Sequence, residues 1–324
     1  MSLSKDLQSK FKKYKKQFVL IAPYKNPSKL IVFPHSGYTF FFNQKHRDIF
    51  NDCVAQDFKI GSEEIDYNFF KFLQETDIGF EHSVLPFLLS GKLELEKEIL
   101  PKDTWALINK GHRITAGDVN RGCAEPQKIV PLKTFTGMQI FKDKSKHHDY
   151  SNWVIQNHVQ PFQSSYLDIL KENPSIEVAI HMHTLDPTSG FANIKTSMQD
   201  RIRPMAQLFQ YASVYPEIHS TFFKNRKNEK PFEIEFLPSQ ILEEAKRILK
   251  KHLSKYYIGS KPKILVDSPY CMKGYKGVGF ASLTAMHNPK IKQILVEANK
   301  AALNTDRRAG RDYLEATLKI SSLL

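Results

Sequence analysis

The chain is predicted to be an α/β protein, a layered sheet covered by helices. Short apolar runs of strand length alternate with stretches of helical periodicity along its whole length. No internal repeat and no clear linker interrupts that alternation, so a single domain is expected. The 324 residues, 41% of them hydrophobic, are enough to bury a sizeable core.

Each element has its own signal. Residues 1–16 read as a short basic helix or loose tail. The run Leu30-Ile31-Val32-Phe33 is a strand that Pro34 ends, because proline has no N–H for the ladder. The aromatic stretch 38–42 extends the following turn or adds a short strand. Helical spacing puts Ile65, Phe69, Phe72 and Leu73 on one side of 64–74, and Val84, Phe87 and Leu88 on one side of 81–89. Strands are predicted at 105–108, 176–180, 232–236, 264–266 and 291–296. Residues 123–151 are irregular and long for a connection, which suits a lid or specificity loop. An amphipathic helix is predicted over 153–173, with Ile155, Val159, Phe162, Tyr166, Ile169 and Leu170 inward. Another covers 239–257, where Ile241, Leu242, Ala245, Ile248, Leu249 and Leu253 share one side. A helical C-terminus follows over 299–318. A basic extension, 1–20, thus precedes one α/β domain, 21–324.

Composition narrows the partners. The net charge of +13 comes from 47 basic and 34 acidic side chains. Lysines cluster at 10–16, 142–146, 224–230 and 246–255, a pattern of solvated faces. An anionic partner could exploit that charge, but the chain has no zinc finger, RNP-like aromatic motif or GXXG clamp, so nucleic acid is not the expected partner. No apolar stretch approaches a membrane span, and the basic, polar N-terminus has no secretory core. Cys53, Cys123 and Cys271 are odd in number and widely spaced. A disulfide framework is not expected, and a reducing cytoplasm is the expected compartment.

Two histidine motifs follow strand-like runs. Pro34-His35-Ser36-Gly37 comes after Leu30 to Phe33, and His181-Met182-His183-Thr184 comes after Glu177-Val178-Ala179-Ile180. Ligands of open α/β sheets bind at the carboxyl ends of strands, so two such ends could bring distant imidazoles together. Catalytic zinc takes three protein ligands and keeps one position open. His35 and His183 supply nitrogen, and Asp77 or Glu81 could add a carboxylate. His181 shares a strand face with His183; it reaches the same site, packs below it against a neighbour, or supports a ligand there without touching the metal. Asp118-Val119-Asn120-Arg121 suits a carboxylate, which arginine grips bidentately, or forms a turn held by its own side chains. Glu297 ends the run Ile294-Leu295-Val296 as either a general base or an ordinary helix-start glutamate. Gly274, Gly277 and Gly279 point to a close backbone approach or a flexible turn, but no Gly-Lys-Ser/Thr ending makes them a nucleotide loop.

In this order the motifs resemble the N-formylglutamate amidohydrolase family of zinc carboxypeptidase-like hydrolases. Pro34-His35-Ser36-Gly37 matches the family's opening motif, and Thr76-Asp77 with Glu81 resembles its acidic segment. Asp118-Val119-Asn120-Arg121 is similar to its Asp-Leu-Asn-Arg signature, and Met182-His183-Thr184 to its Cys-His-Ser. Val296-Glu297 falls at its strand-ending glutamate. The likeness runs in islands from about residue 30 to 300.

The resemblance implies a three-layer, zinc-exopeptidase-like domain with a mostly parallel or mixed sheet and helices on both faces. It implies that His35, Glu81 and His183 hold Zn2+, that Glu297 is the catalytic base, and that Asn120 and Arg121 bind the substrate carboxylate. The implied activity is hydrolysis of the amide of an N-acyl acidic amino acid or a related small carboxylate. The family's pocket loop ends in arginine, whereas Gly277-Val278-Gly279-Phe280-Ala281-Ser282 has none, which implies a changed substrate or a relative that binds without hydrolysing.

Overall fold

The computed structural model describes residues 3–15, 17–34, 44–51, 100–109, 139–185, 204–208, 213–215, 233–235, 237–256, 263–266, 279–299 and 307–324. Its strands are β1 (Phe18–Ile21), β2 (Lys29–Phe33), β3 (Thr104–Asn109), β4 (Val178–Leu185), β5 (Pro204–Leu208), β6 (Ser213–Tyr215), β7 (Glu233–Glu235), β8 (Lys263–Val266) and β9 (Lys292–Asn299). Seven form one sheet in the order β1-β3-β2-β4-β9-β5-β8, and β6 pairs with β7 apart from it. Strands β3, β2, β4 and β9 run parallel to one another. Strands β1 and β5 run antiparallel to their inner neighbours, so the sheet is mixed.

The helices are α1 (Lys5–Lys13), α2 (Lys144–Val154), α3 (Gln160–Glu172), α4 (Ser239–Leu253), α5 (Gly279–His287) and α6 (Arg307–Ser321). Pleat alternation sorts the central strands between two cores. Leu30, Val32, Leu107 and Ala179 pack with Leu7, Tyr150, Val159, Phe162, Tyr166 and Phe280 from α1, α2, α3, α5 and the turn between α2 and α3. Ile31, Phe33, Ile108, Ile180, Met182, Ile294 and Val296 pack with residues of α4 and α6, among them Leu249 and Tyr313. Helices on both faces of a mixed sheet make the three layers that the resemblance implies. Burial on both sides is why β2 and β3 read as unbroken apolar runs.

Several boundaries differ from the sequence expectations. Residue 20 lies inside β1, and α1 packs into the core through Leu7. Ser4 Oγ caps α1 by accepting from the Leu7 N–H at 3.1 Å, and Lys10 ties it to Asp168 on α3 at 2.6 Å. The connection expected over 123–151 is helical from Lys144, because Asp143 accepts from the Lys146 N–H at 2.8 Å and starts a helix there. The chain continues through a π-helical turn, Ile155–Val159, into α3. The C-terminal helix begins at Arg307, since 297–299 still pair with β4. Gly279-Phe280-Ala281-Ser282 opens α5, with Phe280 buried against Tyr166 at 4.9 Å between ring centroids. The elements expected at 38–42, 64–74 and 81–89 lie outside the described residues. Among those described, no helix is long and apolar enough to cross a membrane.

The π turn carries a titratable group into the core. His158 is buried with its ring against Trp153 at 5.1 Å, and burial lowers its pKa from 6.5 to about 3. The unfolded chain takes up a proton near 6.5 while the folded chain does not. Stability from this group is therefore intact above about pH 6.5 and is lost as pH falls toward 3, by up to about 1.4 kcal/mol per pH unit. Chemical denaturation of His158→Gln between pH 6.5 and 4 is expected to show a stability slope shallower by about one proton. An unchanged slope would remove His158 from the acid response.

Candidate metal centre

The four parallel strands bring their carboxyl ends to one edge of the sheet. The chain leaves β2, enters β3 on one side of it, and later returns as β4 on the other. The β2/β4 boundary is therefore a topological switch point, where open α/β sheets form a crevice. His35 is one residue beyond Pro34, which follows β2, and His183 is on β4.

The turn after β2 is held at its first residue. Pro34 is buried, and its carbonyl oxygen accepts from Asn109 Nδ2 at 2.9 Å. Asn109 ends β3 and is itself 3% exposed, so this bond replaces water that neither partner can reach. The entry to the Pro-His-Ser-Gly segment is thus fixed by the neighbouring strand.

The expectation that the strand before the second motif ends at Ile180 is corrected: β4 runs on to Leu185, through both histidines. Pairing with β9 carries it, since each residue from Val178 to Leu185 has a Cα partner there. In that register His183 stands opposite Glu297, and Gln207 of β5 flanks Glu297 on the other side. Two residues 114 apart in sequence, one a candidate ligand and one a candidate base, thus become backbone neighbours.

His181 packs below the strand ends against a neighbour. It is 1% exposed, and its Nε2 lies 3.1 Å from Gln293 Oε1 on β9. Burial lowers its pKa from 6.5 to about 4, against the smaller opposing effect of the Gln293 hydrogen bond. The ring is a neutral group inside the sheet, below the strand ends.

Of the remaining candidates, His35, Glu81, Asn120 and Arg121 lie outside the described residues, as do Asp77 and 267–278. For His183 and Glu297 the strand position is established. Among the described residues no three His, Cys, Asp or Glu side chains form a cluster able to hold a metal. The donor chemistry at the edge nevertheless fits zinc: an imidazole position beside a carboxylate position, with a second imidazole directly after an anchored strand end. Asn109, Gln207 and Gln293 were not singled out from sequence. The available signal was a polar residue inside an apolar run, as in Ile291-Lys292-Gln293-Ile294.

No protein-family model and no curated protein matches the chain. Among solved structures, a gene product of Agrobacterium tumefaciens aligns at 14% identity over 98% of this chain and 99% of its own, with a TM-score of 0.49. N-formylglutamate amidohydrolase from Ralstonia eutropha JMP134 aligns at 12% identity over 95% of this chain and 98% of its own, with a TM-score of 0.44. Carboxypeptidase A from Helicoverpa armigera aligns at 10% identity over 98% of this chain and 70% of its own, with a TM-score of 0.37. At these identities and scores, none of the three transfers a role to any residue here.

Asn109→Ala leaves the buried Pro34 carbonyl without this donor and is expected to lower stability by about 2 kcal/mol in urea denaturation. A loss below about 0.5 kcal/mol, the range of ordinary surface changes, would mean that the bond does not hold the turn.

Proposed function

We propose that the chain is a zinc-dependent amidohydrolase that cleaves the amide of an N-acyl acidic amino acid, N-formylglutamate-like, or of a related small carboxylate. The observation that carries this reading is the register at the switch point, where His183 and Glu297 are partners beside the strand that leads into His35. The ordered motifs of the sequence add the remaining parts.

In this reading His35, Glu81 and His183 hold the metal. When bound, zinc polarises a carbonyl and makes water more acidic. The chain's own residues do the rest. Arg121 grips the substrate carboxylate through two parallel hydrogen bonds, and Asn120 adds a donor, which orients the scissile amide. Glu297 accepts a proton from the attacking water as the new C–O bond forms. It returns that proton to the amide nitrogen as the C–N bond breaks, so the amine leaves neutral.

One observation favours a second reading, a carboxylate-binding relative without turnover. Ser282 stands where the family's loop has arginine, and the stretch from Gly279 is helical with Phe280 in the core. That stretch is not a free pocket loop.

Metal analysis and kinetics separate the two. The purified chain is expected to carry about one zinc, and His35→Ala and His183→Ala are each expected to lose it. Glu297→Gln is expected to keep zinc while turnover of N-formylglutamate-type amides falls by at least about a hundredfold. No zinc at any stoichiometry would end the metal reading. Zinc without turnover in the unaltered chain would favour the binder.

A further inference from the structure

We propose that His181 and Gln293 are positioning residues for the candidate metal centre: their buried pair supplies the hydrogen bond that orients the imidazole at position 183. The inference rests on the metal reading above and adds Gln293, which neither histidine motif discloses.

The pair sits on an apolar face. Ala179 and Leu295 are its neighbours on the same strands, and Val32 is the Cα partner of His181 on β2. His181 and Gln293 are each 1% exposed and meet across β4 and β9 at 3.1 Å. That single bond does not satisfy them. His181 Nδ1 and Gln293 Nε2 have no hydrogen-bond partner among the described residues. With His181 Nε2–H donating to Oε1, an imidazole acceptor and an amide donor are left over. With the amide turned over and the other tautomer, an amide acceptor and an imidazole donor are left over. Either way one buried acceptor and one buried donor remain on this face.

For the sheet alone, such a pair is a poor choice, since two matching apolar residues would avoid both unsatisfied atoms. Its location gives it another use. Position 183 is two residues along β4 from His181, on the same face by pleat alternation and about 6.6 Å away along the strand. A histidine that holds a metal is oriented by a hydrogen bond on its second ring nitrogen, and loss of that bond typically weakens the metal about 10- to 100-fold. With Nε2–H donating to Gln293, the leftover acceptor is His181 Nδ1, on the face of β4 that also carries position 183, and a bond from it would run directly or through one buried water. The tie to Gln293 fixes the ring that provides it.

The experiment compares stability without metal and zinc affinity across three variants, by thermal denaturation and by competition with a chromophoric chelator. Gln293→Leu is expected to lower both, because His181 loses its partner. The double variant His181→Leu/Gln293→Leu is expected to regain the thermal midpoint while zinc affinity stays at least about tenfold below that of the unaltered chain. A purely structural pair would regain both together, and that result overturns the proposal. His181→Gln keeps a donor and an acceptor at the position and is expected to bind zinc more tightly than the double variant. The reverse order also overturns it, and this arm can be read against Gln293→Leu if the double variant does not fold. If the unaltered chain takes up no zinc, the metal reading itself has failed. If it binds zinc and the double variant binds equally well, only the role of this pair is lost.

Discussion

Four parallel strands, β3, β2, β4 and β9, share one hydrogen-bonded ladder, and everything at their carboxyl edge depends on its register. A slip of one residue would turn every side chain to the opposite face, exchanging the two cores. Leu30 and Val32 could not then meet α3, nor Ile31 and Phe33 meet α4 and α6. Each deeply buried aliphatic or aromatic side chain contributes about 1.5–3 kcal/mol, so such a slip would forfeit far more than the fold can lose. The pairing of His183 with Glu297 is a consequence of that constraint, reached without any direct attraction between the two.

Buried polar groups in this sheet are few. Asn109 closes β3 and holds the Pro34 carbonyl. His181 and Gln293 bridge β4 and β9 below position 183. Elsewhere on the central strands the buried positions are almost all apolar. Buried polar groups need partners to be tolerated, and here the partner comes from the adjacent strand in each case. At Asn109, His181 and Gln293, hydrogen bonding joins apolar packing in specifying the arrangement.

The basic surface is consistent with solvated faces. Several cations have local acidic partners: Lys246 with Glu243 at 2.6 Å, Arg247 with Glu244 at 2.5 Å, Lys255 with Asp312 at 2.7 Å and Arg311 with Glu315 at 3.2 Å. Three of the four follow helical i,i+3 or i,i+4 spacing. Exposed pairs of this kind add little stability, and they leave the net charge of the chain as it is.

The amino-acid pattern alone determined the class of fold and most of its central elements. The runs that became β2, β3 and β8, and the side of α4 that carries Ala245, Ile248, Leu249 and Leu253, were legible because burial imposes a period on sequence. The two histidine motifs and Glu297 were likewise visible as residue types where apolar runs end. Only the tertiary structure decided where β4 and β9 stop, because pairing across the sheet extended both beyond their apolar runs. It also decided which neighbour His181 packs against, since Gln293 lies 112 residues away. Strand β1 and the start of α2 were missed for a related reason. Leu20 and Val19 are ordinary residues until β3 lies beside them, and Asp143 is an ordinary acid until its carboxylate meets the Lys146 N–H. Local periodicity records which face is buried; it carries no record of the neighbour that buries it.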